Sequence, residues 1–443
     1  MTPTDDASRS RPSRALFVWS LATLLAAFPL IFMGGLVTSH GAGLSVPDWP
    51  NSYGYNMFLF PPSMWVGGIF YEHTHRLLGT LVGLLAIGMV LSSFAPARTP
   101  ASRRRWGWAA VVLLGSGLLA LLLKLAVGSA PAGGGGTPLQ VILPHVWTTL
   151  VGLGLVAGIG WTARTREPRR WVRYLTVAIL LAIIVQGIKG GLRVEWVNIE
   201  LAIAHGIFAQ VILCGLAVMC LVTSRSWRLG TWLPTASGTL PGARGVAWAG
   251  LVSLVLILGQ LVAGASMRHL EAGLAIPDLP LAFGRLLPPT TADGLAEANQ
   301  FRLALKETEV GGPVTLGQIW LHFAHRVGAV LVTAAVGVLV YLALRGGALR
   351  QVPAVRRLAW WLPPMLLAQL TLGLATVYFR KPADVTTLHH TLGALTLMVV
   401  CLLTVRALVC AYGSKPLPAP ATVDADDART SPRRSAASVA LAH

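Results

Sequence analysis

Apolar runs of about twenty residues, separated by polar loops, recur along this 443-residue chain, and about twenty is the length a helix needs to cross a bilayer core. Ten spans are predicted, at about 15–38, 72–94, 106–128, 139–163, 170–190, 200–223, 245–266, 317–345, 357–378 and 386–411. None shows the apolar-polar alternation of a barrel strand. The pattern therefore predicts an all-α polytopic membrane protein with about ten transmembrane helices. Composition agrees, since 54% of residues are hydrophobic and only 12% charged, about half the charge of a soluble domain. The first run has a charged flank and no small-residue cleavage signal, which predicts a retained helix and not a signal peptide.

A net charge of +18 could suggest nucleic acid, but the basic residues fall in alternate loops and form no single patch. Arg9, Arg11 and Arg14 precede the first span, Arg98 and Arg103 to Arg105 follow the second, and Arg164, Arg166, Arg169 and Arg170 follow the fourth. Arg225 and Arg228 follow the sixth, and Arg345, Arg350, Arg356 and Arg357 the eighth. By the positive-inside rule these loops and both termini are cytoplasmic. A bacterial-type inner (cell) membrane is the expected location and nucleic acid is not an expected partner. Residues 1–14 then form a cytoplasmic N-terminal segment, and 414–443, rich in Ala, Pro, Ser and Arg, a disordered cytoplasmic tail. The four cysteines, Cys214, Cys220, Cys401 and Cys410, sit inside spans without a CxxC, which argues against disulfides and zinc.

The chain repeats itself. "GGLVTSHGAGLSVPDWPNSYG" (34–54) matches "GASMRHLEAGLAIPDLPLAFG" (264–284) without gaps at an offset of 230, pairing Gly34, Gly43, Leu44, Pro47, Asp48, Pro50 and Gly54 with Gly264, Gly273, Leu274, Pro277, Asp278, Pro280 and Gly284. "EHTHR" (72–76) recurs as "HFAHR" (322–326), "QGIKGGLRV" (186–194) as "QLTLGLATV" (369–377), and "AHGIFAQ" (204–210) as "LHHTLGA" (388–394). The halves are parallel repeats related by an axis along the membrane normal. His75 and His205 are 130 residues apart but His325 and His389 only 64, so the first half carries 66 extra residues, one helical hairpin at 106–163. The expected organisation is a first half (15–228) with that insertion and a second half (245–411), each a four-helix bundle.

His75, His205, His325 and His389 fall in the first turns of four spans, toward the outer leaflet. An ionisable residue there is costly and marks function unless it merely bonds a neighbouring carbonyl at a helix end. One pair per half is the arithmetic of two bis-histidine haem sites. Zinc is the weaker alternative, because no further ligand cluster completes a tetrahedral set. Arg76 and Arg326 each follow a histidine and are expected either to pair with a haem propionate or to snorkel to the headgroups. Glu72, three residues before His75, shares its helix face. The repeat puts His322 at its place, so one site has a carboxylate and the other does not. That difference suggests proton-handling chemistry at the first site, the alternative being an acid favoured by the helix dipole.

These residues resemble the haem A synthase family, on the loop "GGLVTSHGAGLSVPDWP", the "EHTHR" helix start, the "AHGIF" histidine and the later "AHR" and "LHH", over roughly 15–411 apart from the hairpin. The resemblance implies an eight-helix oxidoreductase that converts the C8 methyl of haem O to a formyl by successive hydroxylations, giving haem A for terminal oxidases. It implies that His75, His205 and Glu72 receive the substrate haem O, and that His325 and His389 hold a haem b cofactor with its iron. Expected partners are the bilayer, a haem O synthase (a farnesyltransferase) and an electron donor; a homo-oligomer is compatible with the sequence. Some relatives carry a cysteine pair in the first outer loop, absent here, so no thiol role carries over. The added hairpin brings His145 into a span, and its "HVWTTLVGL" echoes "HRLLGTLVGL". His390 competes with His389, and the repeat favours His389; His40 and His73 have no repeat partner. The rival functions are a diheme electron-transfer cytochrome, which would leave its haem unchanged, and a transporter, which would want charge at the bilayer midplane; here Lys124 and Lys189 can simply snorkel.

Overall fold

A computed structural model describes residues 14–94, 167–231, 239–305 and 312–413. The predicted spans 106–128 and 139–163, with Lys124 and His145, and the tail 414–443 lie outside the described residues. Within them the protein is an all-α multi-pass membrane protein with eight helices long and apolar enough to cross a bilayer. These are α1 (Arg14–Ser39), α2 (Gly67–Ser93), α3 (Arg170–Trp196), α4 (Ile199–Thr223), α5 (Ala243–His269), α7 (Leu316–Arg345), α8 (Pro353–Tyr378) and α9 (Ala383–Tyr412). A ninth helix, α6 (Ala292–Ala304), lies in the loop between α5 and α7 and was not anticipated. Its polar sequence ADGLAEANQFRLA carries no hydropathy signal; the Thr291 side chain caps it by accepting from Gly294 N–H.

Several helices start earlier than their apolar runs, because hydropathy marks only the stretch facing lipid while the backbone ladder continues beyond it. α2 begins at Gly67 and α7 at Leu316, so His75 and His325 lie about two turns inside their helices and not in the first turn. At Thr315 a capping box holds the start of α7: its hydroxyl accepts from Gln318 N–H while the Gln318 side chain accepts from Thr315 N–H.

α1 to α4 pack around one another, and α5, α7, α8 and α9 do the same. The two groups meet through α4 against α9, α1 against α9 and α4 against α5, a seam that maps onto itself when α1 is exchanged for α5 and α4 for α9. One contiguous set of buried apolar side chains runs through both groups, from Leu16, Leu213 and Leu216 to Val336, Leu397 and Leu403. α4 and α9 are the most enclosed spans, and they carry His205 and His389. Elsewhere the outward faces are apolar and open, as at Val255, Val330 and Leu367, each 69% exposed, as lipid-facing positions should be.

Candidate functional site

The repeated loop folds on two side chains. In the first half the Asp48 carboxylate accepts from Tyr53 N–H at 2.7 Å and Gly54 N–H at 2.8 Å. In the second, Asp278 accepts from Phe283 and Gly284 N–H, both at 2.8 Å. Gly54 and Gly284 have φ of 78° and 73°, a left-handed conformation that glycine adopts without a Cβ penalty. The second side chain is the arginine after the histidine. Arg76 donates through Nη1 to the carbonyls of Asp48 (2.6 Å) and Asn51 (2.9 Å), and through Nη2 to that of Val46 (2.8 Å). Arg326 donates to Asp278 (2.8 Å), Leu281 (3.0 Å) and Ile276 (2.7 Å), the same three places shifted by 230. The propionate role expected of Arg76 and Arg326 therefore meets forks already engaged by loop carbonyls. What the structure shows them doing is pinning the loop onto α2 and α7.

Glu72 and His322 are the third anchor. Val46 N–H donates to Glu72 Oε2 at 2.9 Å, and Ile276 N–H donates to His322 Nδ1 at 3.3 Å. Both side chains are buried, 4% and 3% exposed. The loop thus needs one acceptor here and takes either a carboxylate or a neutral imidazole. Only the carboxylate adds a charge, and its other oxygen, Oε1, takes Arg76 Nη2 at 2.8 Å in a buried ion pair.

The four repeat-related histidines come together as two pairs. The ring centroids of His75 and His205 are 6.4 Å apart, and those of His325 and His389 are 6.5 Å apart. A metal in line between two imidazoles sits about 2.0–2.1 Å from each nitrogen, and with roughly 1.2 Å more to each ring centre the centroids should be about 6.4–6.6 Å apart. Both pairs meet that spacing. Each ring also lies against a glycine of a neighbouring helix. An added Cβ would meet the ring's Cε1 at 2.9 Å from Gly34 to His75, 3.0 Å from Gly190 to His205, 3.0 Å from Gly264 to His325 and 3.1 Å from Gly373 to His389. In two of the four the missing side chain brings Nδ1 to the helix carbonyl one turn earlier: His75 Nδ1–H donates to Leu30 at 3.2 Å, and His389 Nδ1–H to Gln369 at 3.1 Å. Donation from Nδ1 fixes the tautomer with a lone pair on Nε2, the usual outer-shell arrangement of a ligating histidine. Among the described residues no three His, Cys, Asp or Glu cluster as a zinc set would require.

Sequence reasoning missed the residues behind these rings. Gln186 and Gln260, each four residues before its glycine, donate to the carbonyls of His205 (2.8 Å) and His325 (2.9 Å). Gln369 holds the same position in α8, its amide 3.5 Å from His389 Nε2. In α1 that position is Leu30. The signal was present in the repeated Gln-x-x-x-Gly, but its Gln serves the backbone and so resembles any polar residue in a span. His390 faces Gln210 across the seam, Nε2 to Nε2 3.4 Å, and not the His325 ring. His73 is fully buried against Phe60, Trp65 and Ser52, a packing role.

A family profile described as cytochrome oxidase assembly protein matches residues 145–402. The heme A synthase of Beijerinckia indica subsp. indica is 26% identical over 417 residues, covering 88% of this chain and 92% of that protein. That of Allorhizobium ampelinum is 24% identical over 426 residues, 93% of this chain and 94% of the relative. The Shewanella oneidensis heme A synthase is 26% identical over 258 residues, 58% and 72%.

Proposed function

The chain belongs to the cytochrome oxidase assembly protein family, and on that premise we propose that it is a haem A synthase, an oxidoreductase that converts haem O to haem A in the membrane. The observation that carries this is the pair of equally spaced histidine couples, with a buried carboxylate added to the first alone. His75 and His205 hold the substrate haem O, and His325 and His389 hold a resident haem b. When bound, haem b supplies one-electron redox chemistry to the substrate half. The protein's own contribution is positioning. Gly34, Gly190, Gly264 and Gly373 admit the imidazoles, the carbonyls of Leu30 and Gln369 orient those of His75 and His389, and Arg76 and Arg326 hold the loops that cover the end of each bundle. Glu72 contributes a carboxylate, paired with Arg76, that can hold or pass a proton at the reacting C8 methyl.

Partners in this proposal are a haem O synthase, which supplies the substrate, and an electron donor. The orientation has both termini in the cytoplasm of a bacterial-type inner membrane, which the alternating arginine-rich loops support.

The test is acid extraction and mass analysis of the haems from purified protein co-expressed with a haem O-producing farnesyltransferase. Haem A or its hydroxylated precursor beside haem b is the expected result. Two equivalents of haem b, unchanged by haem O supply, would make the protein an electron-carrying cytochrome instead.

A further inference from the structure

Haem is a diacid, and a site that takes it from the bilayer must offer its propionates a cation or strong donors, because an unpaired carboxylate at a protein-lipid boundary is poorly solvated. The Nη nitrogens of Arg76 and Arg326 are engaged by the loop carbonyls. Of the other cations at this end of the bundle, Lys189 donates to Ala204 O at 3.2 Å with its ammonium 4.2 Å from the Phe208 ring centre. Arg268 donates to Gly35 O and Ser39 Oγ across the seam between the halves. The side chains of Arg193, at the end of α3, and Lys381, in the turn between α8 and α9, have no hydrogen-bond partner among the described residues.

These two are not counterparts in sequence. The α3-to-α8 offset is 183 (Gln186 to Gln369), so Arg193 corresponds to Thr376 and Lys381 to Asn198. Yet they occupy one place in the repeat. A Cβ on Gly43 would run into the Arg193 guanidinium, and a Cβ on its counterpart Gly273 would meet Lys381 Cδ at 3.2 Å. Each half thus lays a basic side chain over the same loop glycine by a different route, Arg193 by its guanidinium and Lys381 by its aliphatic stem. Arg193 is partly buried and within electrostatic reach of His75, His205 and Glu72. Lys381 is exposed, at the rim of the second half.

We propose that Arg193 and Lys381 are the propionate-binding groups of the first and second haem sites. This rests on the haem function proposed above. The chemistry also differs between halves. A guanidinium can hold a carboxylate through two parallel N–H donors and fix its orientation, whereas an ammonium is a point charge that tolerates several. The half that must present one methyl to the reacting position has the orienting group, and the half that only retains its haem has the other.

The test compares ferric protoporphyrin IX with its dimethyl ester, which keeps the iron and ring but lacks the two carboxylates. Full-length protein from haem-starved cells is titrated with each, using H389A to leave the first histidine pair intact and H205A to leave the second. R193Q in the first background and K381Q in the second should each weaken binding of the diacid by roughly tenfold, the effect of one charged hydrogen bond, and leave ester affinity unchanged. R193K should recover most of the lost preference. If both variants retain the parental diacid-to-ester ratio, the assignment is wrong although the haem sites stand. If the protein with both histidine pairs intact binds neither porphyrin, the haem function itself falls, and this assignment with it.

Discussion

The two halves fold their long loops onto the same three anchors, and one of the three differs in charge. An aspartate gathers the turn and an arginine takes three carbonyls in each half, but the remaining loop N–H goes to a carboxylate in the first (Glu72) and to an imidazole in the second (His322). Because His322 satisfies the loop without charge, the negative charge of Glu72 exceeds what the fold requires. The loop anchoring and the histidine pair are shared by the halves, and the buried carboxylate is not.

The largest break in that comparison should come from Glu72→Gln. The amide oxygen still accepts from Val46 N–H, so haem content should stay at the parental level, while haem A production falls by about 10²–10⁴-fold, the range for losing a general acid-base group. His322→Gln should leave production near parental. Next, Arg76→Ala should cost more stability than Arg326→Ala. It strands the buried Glu72 carboxylate and should lose about 3–5 kcal/mol, whereas Arg326→Ala forfeits only donors to carbonyls, about 1.5–3 kcal/mol; thermal unfolding in detergent reads the difference. Gly34→Ala and Gly264→Ala each push a Cβ against a histidine ring, at 2.9 and 3.0 Å. Each should cost about 1–3 kcal/mol, seen as lower haem occupancy at its own site and not at the other. The smallest effect belongs to Gln260→Leu, which gives α5 the residue α1 has at Leu30 and should lower stability by about 1 kcal/mol.

Much of this was legible without coordinates. Hydropathy located all eight described spans, because lipid leaves few other ways to satisfy a backbone. The repeat offset paired His75 with His325 and Glu72 with His322, and the loop bonds follow those same offsets. The work of Arg76 and Arg326 was hidden, since their partners are backbone carbonyls, which carry no side-chain signature. The glycines behind the histidine rings were hidden too, because glycine is common in membrane helices for many reasons. α6 escaped because a short polar helix in a loop resembles the loop. Arg193 and Lys381 could not be matched by alignment at all: they reach one place in the fold from positions that do not correspond.

On the proposed function the two histidine pairs hold different haems, one transformed and one retained. The most direct measurement is the haem content of two variants, H205A and H389A, each co-expressed with a haem O-producing farnesyltransferase and extracted into acid for mass analysis. H205A should retain haem b and yield no haem A, while H389A should lose haem b. If H205A still yields haem A, or if the two variants lose the same haem in equal measure, the division of labour between the halves is wrong.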